Sequence, residues 1–135
     1  MAETFQLEVV TPEKMVVRDQ AEEMQIPGKN GYLGILPGHA SLISELAVGE
    51  ITYRNGGVTH HLCVAWGFAE VLPDKVTILA ETAERADEID VKRAQEAKQR
   101  AEERLKSGST DVDYGRAEVA LQRAETRLEV AEKKS

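Results

Sequence analysis

Arginines carry the most distinctive chemical pattern in this sequence. They fall in two segments rich in alanine and glutamate, and the six positions are Arg93, Arg100, Arg104, Arg116, Arg123 and Arg127. At about 100° per residue, each group of three lies on one flank of a helix whose alanine stripe is set at zero. Antiparallel helices turn equally offset flanks to the same side of the pair. We therefore expect all six guanidinium groups on one face, together with Ile89, Val130 and Lys134.

The segregation of charge on these helices points to an anionic partner. The opposite flank carries glutamates, namely Glu102, Glu118, Glu125, Glu129 and Glu132. Like charges four residues apart, such as Arg100 and Arg104, cost about 0.2–0.5 kcal/mol per pair. Guanidinium groups bind phosphate oxygens through two parallel hydrogen bonds. The face suits a polyphosphate or an acidic protein surface, and the alternative is a set of solvated arginines whose stems cover the alanines.

Sequence motifs of known catalytic and metal sites are missing. There is no G-x-x-x-x-G-K-[ST] loop and no G-x-S-x-G nucleophile turn. His39, His60 and His61 have no cysteine or carboxylate partners at ligand spacing. Asp111 and Asp113 lack the glycine and the distal glutamate of a calcium loop. We expect neither a metal site nor catalysis by this chain alone.

Composition narrows the class of protein further. The net charge of −7 argues against a nucleic-acid-binding protein, which needs a cationic surface. No apolar run approaches the roughly 20 residues that cross a bilayer, and the first residues lack the layout of a secretory signal. The single cysteine, Cys63, fits a reducing compartment as a small buried side chain. We expect a soluble intracellular protein without direct membrane insertion.

The first 85 residues have the pattern of short strands separated by turns. Apolar and polar residues alternate from Phe5 to Val9, as in a half-buried strand. The Asn55-Gly56-Gly57 sequence predicts a tight hairpin, and Pro73-Asp74-Lys75 predicts a second one. Many short strands at regular spacing predict a β-sandwich or a flattened barrel over residues 1–85.

Residues 86–135 have the composition of a helical hairpin. Asp90 is placed to cap the first helix, residues 107–109 end it, and residues 110–113 offer caps for the second. Apolar stripes follow both helices: Ala94, Ala97, Ala101 and Leu105, then Ala117, Ala120, Leu121, Ala124, Leu128 and Ala131. A short connection makes the helices antiparallel. Because the stripe consists mostly of methyl groups, we expect the hairpin to dock weakly.

Several strings in the sequence resemble the epsilon subunits of bacterial F-type ATP synthases. Residues 31–40, GYLGILPGHA, are similar to the family's G-x-L-G-I-L-P-G-H segment. Residues 67–71 and 76–80 resemble two later strands of the family. Glu84-Arg85-Ala86, Ile89-Asp90 and Arg93-Ala94 resemble its C-terminal signature. The resemblance covers essentially the whole chain, in order and with the family's spacing.

The resemblance implies an α+β fold, with a ten-stranded β-sandwich before a two-helix antiparallel hairpin. It implies an accessory, non-catalytic place in the central stalk of a peripheral complex at the cytoplasmic face of the bacterial plasma membrane. The partners it implies are the gamma subunit, the c-ring and the alpha and beta subunits. Gly31, Tyr32 and His39 match the loop that faces the c-ring, although relatives carry a short or acidic residue in place of Tyr32. Ala65-Trp66 replaces a common Ser-Gly pair, and local repacking or an interface anchor accounts for Trp66 better than chemistry does.

Relatives that bind ATP as a regulatory ligand imply a site in this chain as well. The matching positions are Glu84, Ile89, Asp90, Arg93, Ala94, Arg100, Arg123 and Arg127. The resemblance implies that the arginines hold phosphates and that Ile89 and Ala94 line the base. Glu84 and Asp90 would accept hydrogen bonds from adenine, ribose or arginine; which acid does which stays open, as does the role of magnesium. ATP would keep the hairpin folded by relieving arginine repulsion, and its loss would let the helices extend and inhibit ATP hydrolysis. A purely structural coupling subunit and a stand-alone ATP hydrolase are the two competing hypotheses.

Overall fold

The computed structural model of the chain describes residues 3–133. A β-sandwich precedes two helices that pack side by side, which confirms the predicted α+β class and the C-terminal hairpin. The predicted domain limits, 1–85 and 86–135, remain a prediction. Their outermost residues 1, 2, 134 and 135, including the Lys134 assigned to the arginine face, lie outside the described residues.

The strands of the sandwich carry the sequence pattern that a buried inner face requires. In β6 every second residue from Gly49 to Tyr53 is buried, as the pleat of a strand predicts. The eight strands of the described residues are β1 (Phe5–Val10), β2 (Met15–Ala21), β3 (Glu23–Gly28), β4 (Gly31–Ile35), β5 (Leu42–Leu46), β6 (Gly49–Asn55), β7 (Val58–Val71) and β8 (Lys75–Arg85).

Strand pairing joins these strands into a sheet that folds back on itself. Hydrogen-bonded neighbours follow the order β2-β1-β8-β7-β5-β3-β4, and β6 pairs with both β3 and β7. β1 and β8 are parallel, whereas the other pairs are antiparallel. The enclosed core contains the largest fully buried side chains, including Phe5, Leu7, Ile26, Ile51, Tyr53, Leu62 and Ile78. Each large apolar side chain buried in this way contributes about 1.5–3 kcal/mol.

A bend at Trp66 and Gly67 lets β7 serve both halves of the sandwich. The first half of β7 pairs with β6 and the second half pairs with β5. Across the bend, β7 stays paired with β8: Ala65 is opposite Thr82, and Gly67 is opposite Ala80. Both long strands therefore bend at this point. The resemblance implied ten strands, and division of these two at the bend would give that number. Residues 3–133 form eight strands because both of these strands continue through the bend.

The turns and helix ends follow the predicted local chemistry. Gly56 and Gly57 have φ of 59° and 78° and close the β6–β7 hairpin, as the Asn-Gly-Gly sequence indicated. Helix α1 (Val91–Lys106) follows a 3₁₀ turn (Ala86–Glu88), and helix α2 (Tyr114–Ala131) follows a short loop. Asp90 caps α1 by accepting a hydrogen bond from the Arg93 backbone N–H at 3.1 Å. Asp113 caps α2 in the same way.

The two helices meet along their alanines. The four most buried residues of this seam, Ala94, Ala101, Ala117 and Ala124, are at most 3% exposed. Small side chains let the helix axes approach closely, and the apolar area buried by each methyl group is small. The seam has the composition predicted for it, and its contact with the sandwich runs through α2, which packs on β6, β7 and the 3₁₀ turn.

We predict that Gly67→Ala destabilises the sandwich severely. Gly67 has φ of 118°, and a Cβ atom there would lie 1.9 Å from the Leu79 carbonyl oxygen. The clash is with backbone, so it adds to the strain of an unfavourable φ, and we expect a loss of more than about 3 kcal/mol in the free energy of unfolding. Gly57→Ala is the control, because its φ is also positive but its surroundings are open. Urea denaturation should show a loss of only about 1–2 kcal/mol for the control; equal losses in the two variants would contradict the prediction.

Candidate functional site

Three neighbouring strands present a row of side chains on the outer face of the sandwich. Glu50 of β6 is paired with Cys63 of β7, and Cys63 is paired with Glu84 of β8. Directly paired residues of adjacent strands point to the same side of the sheet. The row therefore has a carboxylate at each end and a thiol in the middle. We call Glu50, Cys63 and Glu84 the docking row.

Helix α2, with the turn that extends it, lies across the docking row. Arg127 donates from Nε and Nη2 to the two carboxylate oxygens of Glu84, at 2.8 and 3.1 Å. Lys133 donates from Nζ to both carboxylate oxygens of Glu50, at 2.8 and 3.0 Å. Six residues advance a helix by about 9 Å, and two strand spacings cover about 9.5 Å. Because these lengths agree, and because Lys133 lies in the turn after the helix end rather than on the helix itself, both ends of the row are bridged at once.

The centre of the docking row is apolar. Cys63 packs in a small cluster of residues, each at most 7% exposed, with Ala86, Ile89, Val130 and Ala131. Burial raises the pKa of the Cys63 thiol to about 12, and the neighbouring Glu84 carboxylate acts in the same direction. The thiol is therefore protonated at neutral pH and poorly reactive while α2 covers it.

Glu50 joins two further groups to the docking row. Its carboxylate lies 3.2 Å from Nδ1 of His61, and its backbone N–H donates to the Tyr32 hydroxyl at 3.1 Å. The hydrogen bond to Glu50 raises the pKa of Lys133. These contacts hold the Glu50 side chain, only 15% exposed, in place for the ion pair with the end of α2.

One helical turn before Arg127, Arg123 contacts the bend in β7. Its guanidinium carbon lies 5.1 Å from the centroid of the Trp66 ring, within the range of a cation–π interaction. Arg123 and Arg127 thus both face the sandwich. The arginine flank of α2 was expected to have no carboxylate beside it, which holds for the hairpin alone; in the folded chain the sandwich brings Glu84 to it.

The arginines of α1 lie in a different environment. Arg93, Arg100 and Arg104 are exposed, and within residues 3–133 no carboxylate oxygen lies within 4.0 Å of their nitrogens. Arg93 precedes a seam alanine of α1 by one residue, and Arg123 precedes one of α2 likewise. Residues at the same angular offset from the seam on two antiparallel helices point to the same side of the helix pair. The α1 arginines therefore face the side on which the sandwich lies, without packing on it.

The structure brings together part of the predicted ATP site. Arg127 binds Glu84, and Arg123 lies one helical turn before it on α2. Asp90 serves as the cap of α1. Ile89 is 6% exposed and Ala94 is completely buried, and both pack against protein. Their assignment to a nucleotide base stays a prediction, as does the assignment of Arg93 and Arg100 to phosphates.

The three residues assigned to the c-ring loop do not form one loop. Gly31 and Tyr32 begin strand β4, whereas His39 follows its end, in the connection to β5. Tyr32 reaches Glu50, and the His39 connection is held by a hydrogen bond from the Gly38 N–H to the Pro73 carbonyl oxygen. Tyr32 is 59% exposed. The strand between them separates the two ends of the string that the sequence presents as continuous.

Sequence reasoning missed two residues of this interface and offered an interface anchor as one explanation of the third, Trp66, without its partner. Glu50 and Lys133 were assigned no role, and the contact of Trp66 with an arginine was not foreseen. Their pairing depends on which strands are neighbours, and the sequence does not specify this locally. The one available signal was Trp66 itself, a bulky residue where relatives carry a small one.

No helix within residues 3–133 is both long enough and apolar enough to cross a membrane. In the same range, no three or more histidine, cysteine or acidic side chains converge as a metal site would require.

The sandwich and the docked hairpin define a class of protein. The sequence model for the β-sandwich domain of the ATP synthase delta/epsilon chain matches residues 4–86, and that for the long α-helix domain of the same chain matches residues 87–132. The chain belongs to the ATP synthase delta/epsilon family. Within it, the chain falls with the bacterial epsilon chains, which are accessory to the complex and are not its catalytic subunits.

Individual relatives support this assignment. The ATP synthase epsilon chain of Koribacter versatilis is 69% identical over 111 residues, covering 82% of this chain and 78% of the relative. That of Nitratidesulfovibrio vulgaris (strain DP4) is 50% identical over 105 residues, covering 78% of each. A chain of the Euglena gracilis mitochondrial ATP synthase, solved as an OSCP/F1/c-ring assembly, superposes with a TM-score of 0.81 at 25% identity, covering 96% of this chain and 81% of that one. A Tetrahymena thermophila central stalk/c-ring chain shares the fold, with a TM-score of 0.58 at 14% identity, covering 97% and 96%.

We predict that Glu84→Gln loosens the docking of α2. The substitution keeps the shape of the side chain and removes the charge that holds a partly exposed guanidinium, so a loss of about 1 kcal/mol is expected. Cys63 is the only cysteine and lies under the helix, so its modification by a neutral thiol reagent reports opening. The rate should rise about fivefold. Glu81→Gln, on an exposed position of the same strand, should leave it unchanged; equal rates in the two variants would argue against the ion pair.

The raised pKa of Cys63 predicts a pH dependence of stability. Its pKa is 9.0 ordinarily and about 12 in the fold, so the unfolded chain releases the thiol proton first. The contribution is complete below pH 9 and is lost as the pH rises toward 12, at up to about 1.4 kcal/mol per pH unit. Urea denaturation between pH 7 and 11 should show this decline for the native chain relative to Cys63→Ala. A constant difference between the two above pH 9 would contradict it.

Proposed function

We propose that the chain is a central-stalk subunit that couples proton-driven rotation to ATP synthesis and senses ATP through its helical hairpin. In the compact state the hairpin lies on the docking row. In the extended state the helices separate from the sandwich, reach the alpha and beta subunits, and block rotation in the direction of hydrolysis. ATP is the regulatory ligand that stabilises the compact state.

The observation that carries this proposal is the set of α1 arginines without carboxylate partners. Arg93 and Arg100 are exposed on the side of the hairpin that faces the sandwich, beside the partly buried Arg123. A triphosphate offers oxygens in pairs, which guanidinium groups bind with two parallel hydrogen bonds. Binding there would neutralise charges that the fold leaves unpaired among its described residues, which is the differential interaction that a sensor requires.

The compact state rests on few contacts outside the helix seam. Two ion pairs join α2 to the docking row, and the apolar cluster between them contains only five residues, two of which are alanines. Partly exposed ion pairs contribute about 1 kcal/mol or less each. An equilibrium balanced by contacts of this size can be shifted by a ligand that binds one state about 10⁴-fold better than the other. Weak docking thus supports a switch.

The sandwich offers a surface for the gamma subunit. Phe68 of β7 is paired with Leu79 of β8, and both are more than half exposed, as is Ile43 on the neighbouring strand β5. Apolar side chains grouped on an outer sheet face indicate a protein contact. We assign this face to gamma, and Tyr32 and the His39 connection to the c-ring. These partners put the chain in a peripheral position at the cytoplasmic face of the plasma membrane.

A purely structural coupling subunit is the second candidate, and one observation favours it. Arg123 and Arg127, two of the four arginines assigned to phosphates, already contact Trp66 and Glu84. If the sandwich alone satisfies these residues, the hairpin stays docked without nucleotide and needs no sensor. Whether ATP binds separates the two functions.

We predict saturable binding of ATP to the isolated chain by titration calorimetry, weakened about tenfold by Arg93→Ala. The loss corresponds to one charge-assisted interaction of about 1.5 kcal/mol. The matched control is Arg54→Ala, because Arg54 pairs with Glu22 and Glu23 on the sandwich. Binding in the control should equal that of the native chain. No saturable binding at millimolar ATP would remove the sensor and leave the structural role.

A further inference from the structure

Trp66 has a backbone conformation that bulky residues rarely adopt. Its φ of 54° lies in the left-handed region, and it is the only non-glycine residue of positive φ among residues 3–133. An aromatic residue there is strained by about 1–3 kcal/mol, and such strain persists only where surrounding structure maintains it. Glycine would relieve the strain. A tryptophan at the bend therefore requires a compensating interaction.

Arg123 supplies that interaction. Its guanidinium group lies over the indole ring at 5.1 Å from the ring centroid. Four residues further along α2, Arg127 binds Glu84, and beyond the helix end Lys133 binds Glu50. The indole is therefore the third docking point along α2 and the turn that follows it, and the one nearest the helix N-terminus.

The contact with Trp66 pairs none of the Arg123 donors with an oxygen acceptor. Stacking uses the flat face of the guanidinium group, whereas its N–H donors point outward in the plane. In the part of the chain that the structure describes, no carboxylate oxygen lies within 4.0 Å of this group. Arg127, in contrast, has two donors committed to Glu84.

We propose that Trp66 is a positioning residue for Arg123, whose guanidinium group it holds against the sandwich to dock helix α2 in the absence of nucleotide. The docking role stands independently of ATP. A second consequence rests on the proposed function: a guanidinium group fixed by stacking keeps its N–H edge ready for a phosphate. Trp66 then raises the affinity for ATP without contacting it.

A double-mutant cycle without nucleotide tests the docking role. Trp66→Leu keeps an apolar side chain but removes the aromatic face, and Arg123→Met keeps an unbranched stem but removes the charge. Each single variant should raise the rate of Cys63 modification about two- to fivefold, the effect of one cation–π contact. The double variant should be no faster than the faster single variant. Additive effects of the two substitutions would overturn the proposal.

Conservative and matched variants separate stacking from packing. Trp66→Phe retains an aromatic face and should keep most of the protection of Cys63, whereas Trp66→Leu should not. Val58→Ala removes an exposed apolar side chain at the start of the same strand, β7, and should leave the rate unchanged. Loss of protection in Trp66→Phe equal to that in Trp66→Leu would contradict a role for the aromatic face.

The sole tryptophan provides a readout that does not alter the sandwich. If Trp66→Leu fails to fold, Arg123→Met still tests the contact, because the indole stays in place and only the guanidinium group that covers it is removed. Acrylamide should then quench its fluorescence more efficiently than in the native chain. Unchanged quenching would show that Arg123 does not cover the indole and would overturn the proposal.

An ATP titration separates this proposal from the proposed function. If ATP binds the native chain, Trp66→Leu should weaken its binding about two- to fivefold. An unchanged affinity would show that Trp66 does not assist ATP binding, and the double-mutant cycle would still test whether Trp66 docks α2. If ATP does not bind the native chain, the sensor is excluded. The cycle without nucleotide then still decides whether Trp66 docks α2.

Discussion

The agreement between two repeat lengths sets the position of the helical hairpin. Arg127 of α2 and Lys133 of the turn after it, the two cations that reach the docking row, are six residues apart, about 9 Å at the rise of a helix. Across the sheet the two carboxylates are two strands apart, about 9.5 Å. A shift of α2 by one residue would rotate Arg127 by about 100° away from Glu84. The register of helix on sheet is therefore specified by charge, although the apolar contact between them is small.

Within residues 3–133, the clustered arginines have contact partners in the sandwich on helix α2 but not on helix α1. On α2 the sandwich provides a carboxylate for Arg127 and an aromatic face for Arg123. On α1 the corresponding side chains, Arg93 and Arg100, remain exposed. A like-charged face costs energy wherever it is not compensated. The part of the face that the fold compensates secures docking, and the part it does not compensate is what a polyanion could bind.

Local chemistry explains what could be predicted from the sequence. The caps at Asp90 and Asp113, the hairpin at Gly56-Gly57 and the alanine seam each depend on residues within one or two turns of one another, and all were found where expected. The arginine face follows from helix periodicity in the same way. What the sequence did not indicate depends on distant residues: the ion pair of Glu50 and Lys133 joins positions 83 apart. Glu84 was expected to accept hydrogen bonds from adenine, ribose or arginine, and it accepts them from Arg127, 43 positions away. The ten-strand expectation differed because a bend can leave a strand unbroken.

The core of the sandwich and the cluster beneath α2 are separate. The sandwich core contains residues from Phe5 to Ala80 and none from the helices, whereas the cluster around Cys63 contains Val130 and Ala131. Loss of the second cluster exposes five residues and leaves the first intact. The hairpin can therefore leave the docking row as a local opening, at a cost far below that of unfolding. The strain at Trp66 lies at the boundary between the two, where a residue that shapes the bend in β7 also contacts helix α2.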